Sequence, residues 1–175
     1  MRGVDTEPGD AVTVEVATPA HLRLLLDDDI PGFESAYSLR VVPGYLEFDG
    51  ALAHALAALE EGMPPQWSTH LFIHAADRAL IGIGGYTGPP DDGTVEIGYC
   101  LAPAYRGRGL ATAAAAELVA RARAAGVRSV QAHTLAVPNP STGVLTALGF
   151  TRTAEIDSEE GPLWRWELSL RAENT

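Results

Sequence analysis

Apolar and polar side chains alternate over Val12, Thr13, Val14, Glu15 and Val16, the period-two pattern of a half-buried strand. The period then lengthens. Leu22, Leu25 and Leu26 recur at helical spacing behind Thr18-Pro19, a capping residue followed by one whose φ is preset for a helix start. Asp27, Asp28 and Asp29 close this helix, Pro31-Gly32 breaks the chain, and a second helix is predicted near residues 33–39. Leu52, Leu56 and Leu59 share one face of a helix over residues 49–61, stopped by Gly62 and Pro64-Pro65. Three strands follow, near 69–75, 79–86 and 94–101, joined at Ala76-Asp77-Arg78 and at the turn cluster from Gly88 to Gly93. An Ala-rich helix is predicted over 107–125, with Gly126 as its stop. A strand near 128–135, a helix near 141–148 and strands near 151–157 and 162–169 complete the chain.

This order predicts a mixed α/β (α+β) domain with a central sheet of about six to seven strands and helices on both faces. A single domain is expected over residues 11–170, behind a disordered arm at 1–10. Residues 11–67 form its helical half and residues 68–170 its strand-rich half. The charge balance narrows the partners. There are 23 acidic and 12 basic residues, a net charge of −11, and every basic residue is arginine. Such a chain is a poor match for nucleic acid or an anionic membrane surface, and a better one for an amine-bearing partner. No run approaches about 18 consecutive apolar residues, and the first ten residues do not read as a secretory signal. A single cysteine, Cys100, leaves no internal disulfide and no multi-cysteine metal site. A reducing, cytoplasmic setting without a metal is therefore expected.

The chemistry concentrates between Tyr99 and Thr112. A strand ends at Leu101, Pro103 turns the chain, and Arg106-Gly107-Arg108-Gly109-Leu110-Ala111 opens the long helix. A helix start leaves about four amides without intrahelical partners, and Ser, Thr, Asp or Asn usually caps them. None of these lies between Ala102 and Ala111. Two glycines and two arginines stand there instead, a composition suited to an external phosphate or pyrophosphate. A glycine-loosened helix start with solvated arginines is the plain alternative. The segment is no P-loop, since the chain has no lysine.

With Arg106, Gly109 and Ala111 in register, the segment resembles the acyl-CoA signature of the GNAT superfamily of N-acyltransferases, Gln/Arg-x-x-Gly-x-Gly/Ala. The preceding VEIGYCLAPAY is similar to that family's fourth strand. Asn139-Pro140-Ser141, Val144-Leu145 and Leu148-Gly149-Phe150 resemble its later motif, in the branch of ribosomal-protein N-terminal acetyltransferases. The match spans roughly residues 68–168. It implies acetyl-CoA as cosubstrate and an amine, peptide N-terminus or small molecule, as acceptor in a ternary complex. It implies that amides of Arg106, Gly107, Arg108, Gly109, Leu110 and Ala111 hold the pyrophosphate, with Thr112 adding a hydroxyl. It further implies a bulge near Leu101 where splayed strands admit the pantetheine, the Leu101 N–H facing the thioester carbonyl, and Asn139 bonding the pantetheine arm. Asn139 also reads simply as a turn residue between two prolines.

Attack on a thioester needs a neutral amine. An alkyl amine with a pKa near 10.4 is only about one part in a thousand neutral near pH 7.4, so a base helps. Glu96 is the candidate: a lone carboxylate in an apolar strand, on one face with Gly98 and Cys100. An ordinary exposed or Arg-paired glutamate is the other reading. Relatives in the family carry a tyrosine acid on the helix here reading STGVLTAL, which has none. The branch resemblance offers Ser141 in its place; Ser141 reads equally as that helix's N-cap. His70 and His74 read as packing histidines, His133 as a packing histidine or one near the site, Cys100 as a buried thiol, and Tyr37, Tyr45 and Trp67 as core of the helical half, with acceptor contact as their other reading. A catalytically weak acyl-CoA sensor is the alternative function. A homodimer is left open.

Overall fold

The computed structural model describes residues 10–47 and 50–170. Residues 1–9 of the expected arm, and Asp49 of the expected third helix, lie outside them. Asp10 is held by Arg108 and His74.

The elements run β1 (Val12–Val16), α1 (Pro19–Leu26), α2 (Ile30–Tyr37), β2 (Arg40–Val41), α3 (Gly50–Glu60), β3 (Thr69–His74), β4 (Ala79–Tyr86), β5 (Thr94–Leu101), α4 (Leu110–Ala124), β6 (Ser129–Leu135), α5 (Pro140–Ala147), β7 (Thr151–Ser158) and β8 (Gly161–Ser169). They form one mixed eight-stranded sheet in the order β1-β3-β4-β5-β6-β8-β7, with the two-residue β2 pairing beside β4. Apolar side chains pack on both faces. One core joins α4 and α5 to the sheet through Leu110, Leu118 and Leu145. The other joins α1, α2 and α3 through Leu22, Phe33 and Leu52.

Helix starts account for most departures from the sequence pattern. The second helix begins at Ile30 rather than near residue 33, because Asp29 accepts from the Gly32 amide at 3.0 Å and Pro31 fits the first turn. The acidic triplet thus caps one helix end and starts another. The long helix begins at Leu110 rather than residue 107, because Gly107 and Gly109 take left-handed φ of 76° and 78°. The short helix begins at Pro140, and Asn139 rather than Ser141 is its N-cap. Asn139 Oδ1 accepts from the Thr142 amide at 3.1 Å, and Thr142 Oγ1 accepts from the Asn139 amide at 3.1 Å.

One feature of the sheet builds the site. β5 and β6 run parallel, but they pair only over Thr94–Ser129, Val95–Val130 and Glu96–Gln131. Beyond Glu96 the two strands separate. The expected bulge near Leu101 does not occur: the β4–β5 register is continuous from Tyr86–Ile97 to Gly82–Leu101. The register shift lies instead between β3 and β4, at Phe72/Ile73.

Candidate active site

The split between β5 and β6 has a different chemistry at each end. At one end stands the start of α4. Ala113 N–H makes the first intrahelical bond, to Gly109 C=O at 3.1 Å, and no side chain caps the helix. The amides of Leu110, Ala111 and Thr112 therefore precede the helical ladder, at the positive end of the helix dipole. A Cβ built on Gly107 or Gly109 meets nothing within 4 Å, so the space above this turn is open. A cavity of about 260 Å³ lies between it and the first turns of α5 at Pro140, Gly143 and Val144.

The two arginines of the loop do different work. Arg106 turns inward, its Nε donating to the Leu101 carbonyl at 2.9 Å. Arg108 turns away. It pairs with Asp10, with Nε 3.3 Å from Oδ2, and lies over the Tyr105 ring at 5.1 Å. The hydrogen bond from Arg108, then that from His74, holds the Asp10 carboxyl down at about 2. The charge of Arg108 is thus matched by Asp10, away from the cavity at the helix start.

Leu101 pairs in continuous register with Gly82 of β4, without a bulge. Ala102 N–H donates to Ile81 C=O of β4 at 2.7 Å. Amide directions alternate along a strand, so the Leu101 N–H and C=O face the opposite way, into the split. Arg106 takes the carbonyl and orients the peptide.

The other end carries an acid–imidazole pair. Glu96, at the last β5–β6 pair, bonds through Oε1 to His133 Nδ1. Arg165 of β8 donates from Nε to His133 Nε2 at 3.4 Å. An imidazole that accepts at Nε2 carries its proton on Nδ1, the tautomer in which His133 donates to Glu96. The sequence left His133 between a packing role and one near the site; it lies beside Glu96. Glu96 and Gln131 pair in register, which puts Glu96 and His133 on one sheet face.

Tyr99 was missed. Its hydroxyl donates to the Ser141 carbonyl on the first turn of α5, at 3.4 Å, and burial pushes it up to about 12. A phenol thus stands beside the helix where the family's tyrosine was sought, reaching it from β5. Ser141 lines the same cavity. The Asn139 side chain is engaged at both ends, as the α5 cap and by an Nδ2 bond to Val137 C=O at 3.0 Å. Cys100 donates from Sγ to Tyr45 C=O at 3.3 Å, and burial pushes its thiol up, so it is poorly suited to nucleophilic attack. His70 and His74 are buried and bonded, to Ser68 C=O and to Asp10 respectively. Tyr37 packs on His21 and Phe33, Trp67 on Tyr86, and Tyr45 lies in the core. A second cavity, of about 420 Å³, opens at this end of the split, bounded by α3, β4, β5 and α5.

An uncapped helix start facing open space, separated by a strand gap from a carboxylate bonded to an imidazole, is a layout suited to group transfer from an anionic donor. A family model of the acetyltransferase (GNAT) domain matches residues 21–151, and the chain belongs to that family. No curated protein matches the sequence. Among solved structures, the chain is similar to the yncA protein of Salmonella typhimurium with its cofactor acetyl-CoA: 20% identity, TM-score 0.61, covering 94% of this chain and 97% of that one. It is similar to the ribosomal-protein-S5-alanine acetyltransferase of Vibrio fischeri: 12% identity, TM-score 0.65, covering 94% and 96%. It is also similar to a spermidine N-acetyltransferase chimera from Vibrio cholerae and hSSAT: 14% identity, TM-score 0.65, covering 91% and 95%. At these identities the likeness is one of fold. No helix among the described residues is long and apolar enough to cross a membrane.

Proposed function

We propose that the protein transfers an acetyl group from acetyl-CoA to a primary amine, directly and in a ternary complex. The observation that carries this reading is the split itself: an uncapped helix start at one end and the Glu96–His133 pair at the other, with the Leu101 amide between them. The amides of Leu110, Ala111 and Thr112 hold the pyrophosphate, helped by the open glycines Gly107 and Gly109. Arg106 acts through Leu101, whose N–H faces the oxygen on which charge develops. Glu96 receives the amine proton, directly or through one water. His133 holds that carboxylate in place and is held by Arg165.

The amine nitrogen bonds to the acyl carbon, the carbon–sulfur bond breaks, and the thiolate leaves with the electron pair. Tyr99, protonated at neutral pH, supplies the thiolate's proton; Ser141 is the second donor in reach of the same cavity. Asn139 is left to its capping bonds. The setting consistent with this chemistry is cytoplasmic, where acetyl-CoA is made. An assay with acetyl-CoA and a panel of peptides and small amines, read by mass spectrometry of the amine, tests the proposal. One acetyl group gained only with active protein supports it. CoA binding without acetylation of any amine overturns it in favour of an acyl-CoA sensor.

A further inference from the structure

The cavity of about 420 Å³ at the acceptor end is lined mostly by apolar side chains, with hydroxyls from Ser68, Thr69, Thr87, Thr134 and Ser141 among them. Leu46, Ala55 and Met63 face it from the helical half, and Ile83, Ile97 and Leu145 from the sheet and α5. Among the described residues that line it there is no Asp, Glu or Arg. Its titratable side chains are His54, Tyr86, Tyr99, Cys100 and His133. The carboxylates near it stand outside the lining: Glu96, bound to His133, and Glu47, whose charge acts on Cys100.

Part of the cavity's floor is glycine, and the glycines are not equivalent. At Gly84 a Cβ would lie 2.4 Å from the Phe72 ring and 2.7 Å from the Gly98 carbonyl, so packing demands glycine there. At Gly98 a Cβ meets nothing within 4 Å. Nor is Gly98 among the glycines at positive φ. Neither packing nor backbone requires it. A side chain at Gly98 would occupy cavity volume on the same strand face as Glu96, two residues away.

Resting on the acetyl-transfer reading, we infer that the acceptor is a small primary amine bearing one ammonium group on an apolar body, of the kind of 2-phenylethylamine. Its apolar body fills the space over Gly98 and leaves water favourably. Its nitrogen lies toward Glu96. A polyamine or aminoglycoside would bury further ammonium groups against a lining that holds no carboxylate among the described residues, which is strongly unfavourable. The net charge of −11 draws amines of every kind toward the protein; the cavity sorts them by body.

The test is calorimetric binding of 2-phenylethylamine, putrescine, spermidine and kanamycin to the full chain, with and without CoA, alongside the rate of CoA release from acetyl-CoA. The expected result is 2-phenylethylamine binding at least about tenfold tighter than any polycation, the scale on which small apolar differences discriminate. Gly98→Leu should abolish that preference and leave CoA affinity unchanged. Ala58→Leu, which fills the cavity from α3, gives a second variant should the first fail to fold. Spermidine or kanamycin bound as tightly, no amine bound, or full affinity in both folded variants overturns the inference. Binding of 2-phenylethylamine without acetyl transfer overturns the catalytic reading and leaves the chemistry of the pocket standing. Transfer with spermidine preferred does the reverse.

Discussion

Glu96 owes its setting to one hydrogen bond: His133, fixed by Arg165, presents Nδ1–H to its carboxylate. A base held this way is pre-aimed, and general-base contributions of about 10²–10⁴ in rate are typical. Glu96→Gln should therefore lower kcat by roughly 10²–10⁴ with CoA affinity unchanged, measured by steady-state kinetics and calorimetry. Glu96 was legible in sequence as a lone charge in an apolar strand. Its pairing with His133 was not, because His133 lies 37 residues away on a strand whose register only the fold defines. Tyr99 was hidden for a related reason. The search for an acid looked along α5, whereas the hydroxyl reaches α5 from β5. Tyr99→Phe should reduce kcat toward the low end of the same range, while Ser141→Ala should not, if the phenol supplies the proton. Equal losses in both variants would assign the proton to a shared network instead.

At the scale of elements, seven of the eight strands were read within a residue or so, because alternation and turn residues mark ends such as those of β4 and β5, while the two-residue β2 is too short to show a pattern. Helix starts were read less well, since capping depends on where a side chain reaches. Asn139 displaced Ser141 as the cap of α5 because its β-region backbone lets Oδ1 accept from Thr142. The start of α4 was placed three residues early, but its missing cap was legible: no capping residue precedes Leu110, and the helix has no side-chain cap. Gly109 has φ of 78°, a conformation that costs an L-residue roughly 1–2 kcal/mol. Gly109→Val should lower unfolding stability by about that amount in denaturant titration. CoA affinity should fall at least tenfold, since a side chain would enter the open space over the first amides. Unchanged CoA affinity would place the pyrophosphate elsewhere. Splayed strands were expected near Leu101, as a bulge; the split instead opens after Glu96. It arises because β6 leaves β5 after Glu96–Gln131 and pairs with β8 along its whole length.

For the whole molecule, the cores on the two sheet faces meet the acceptor half and the helix-start half through the same strands, and buried histidines tie stability to pH. His70 lies under Tyr86, and burial pulls its pKa from 6.5 to about 4. The unfolded chain binds this proton more readily, so the contribution is complete above pH 6.5 and is lost as pH falls toward 4. The shift corresponds to about 3 kcal/mol. Denaturant unfolding at pH 7 and at pH 4.5 should show this acid-side loss, reduced in His70→Phe; the same loss in the variant would assign it to other groups. The acidic surface, the helix start and the carboxylate at the far end of the split all serve one proposed act, the joining of a carrier's acetyl group to an amine. The most direct measurement is the initial rate of CoA thiol release from acetyl-CoA as 2-phenylethylamine is varied, with the protein-only rate subtracted because Cys100 is itself a thiol. The account predicts saturable, amine-dependent release that falls by about 10² or more in Glu96→Gln. Release that ignores the amine, or an unchanged rate in Glu96→Gln, would contradict it.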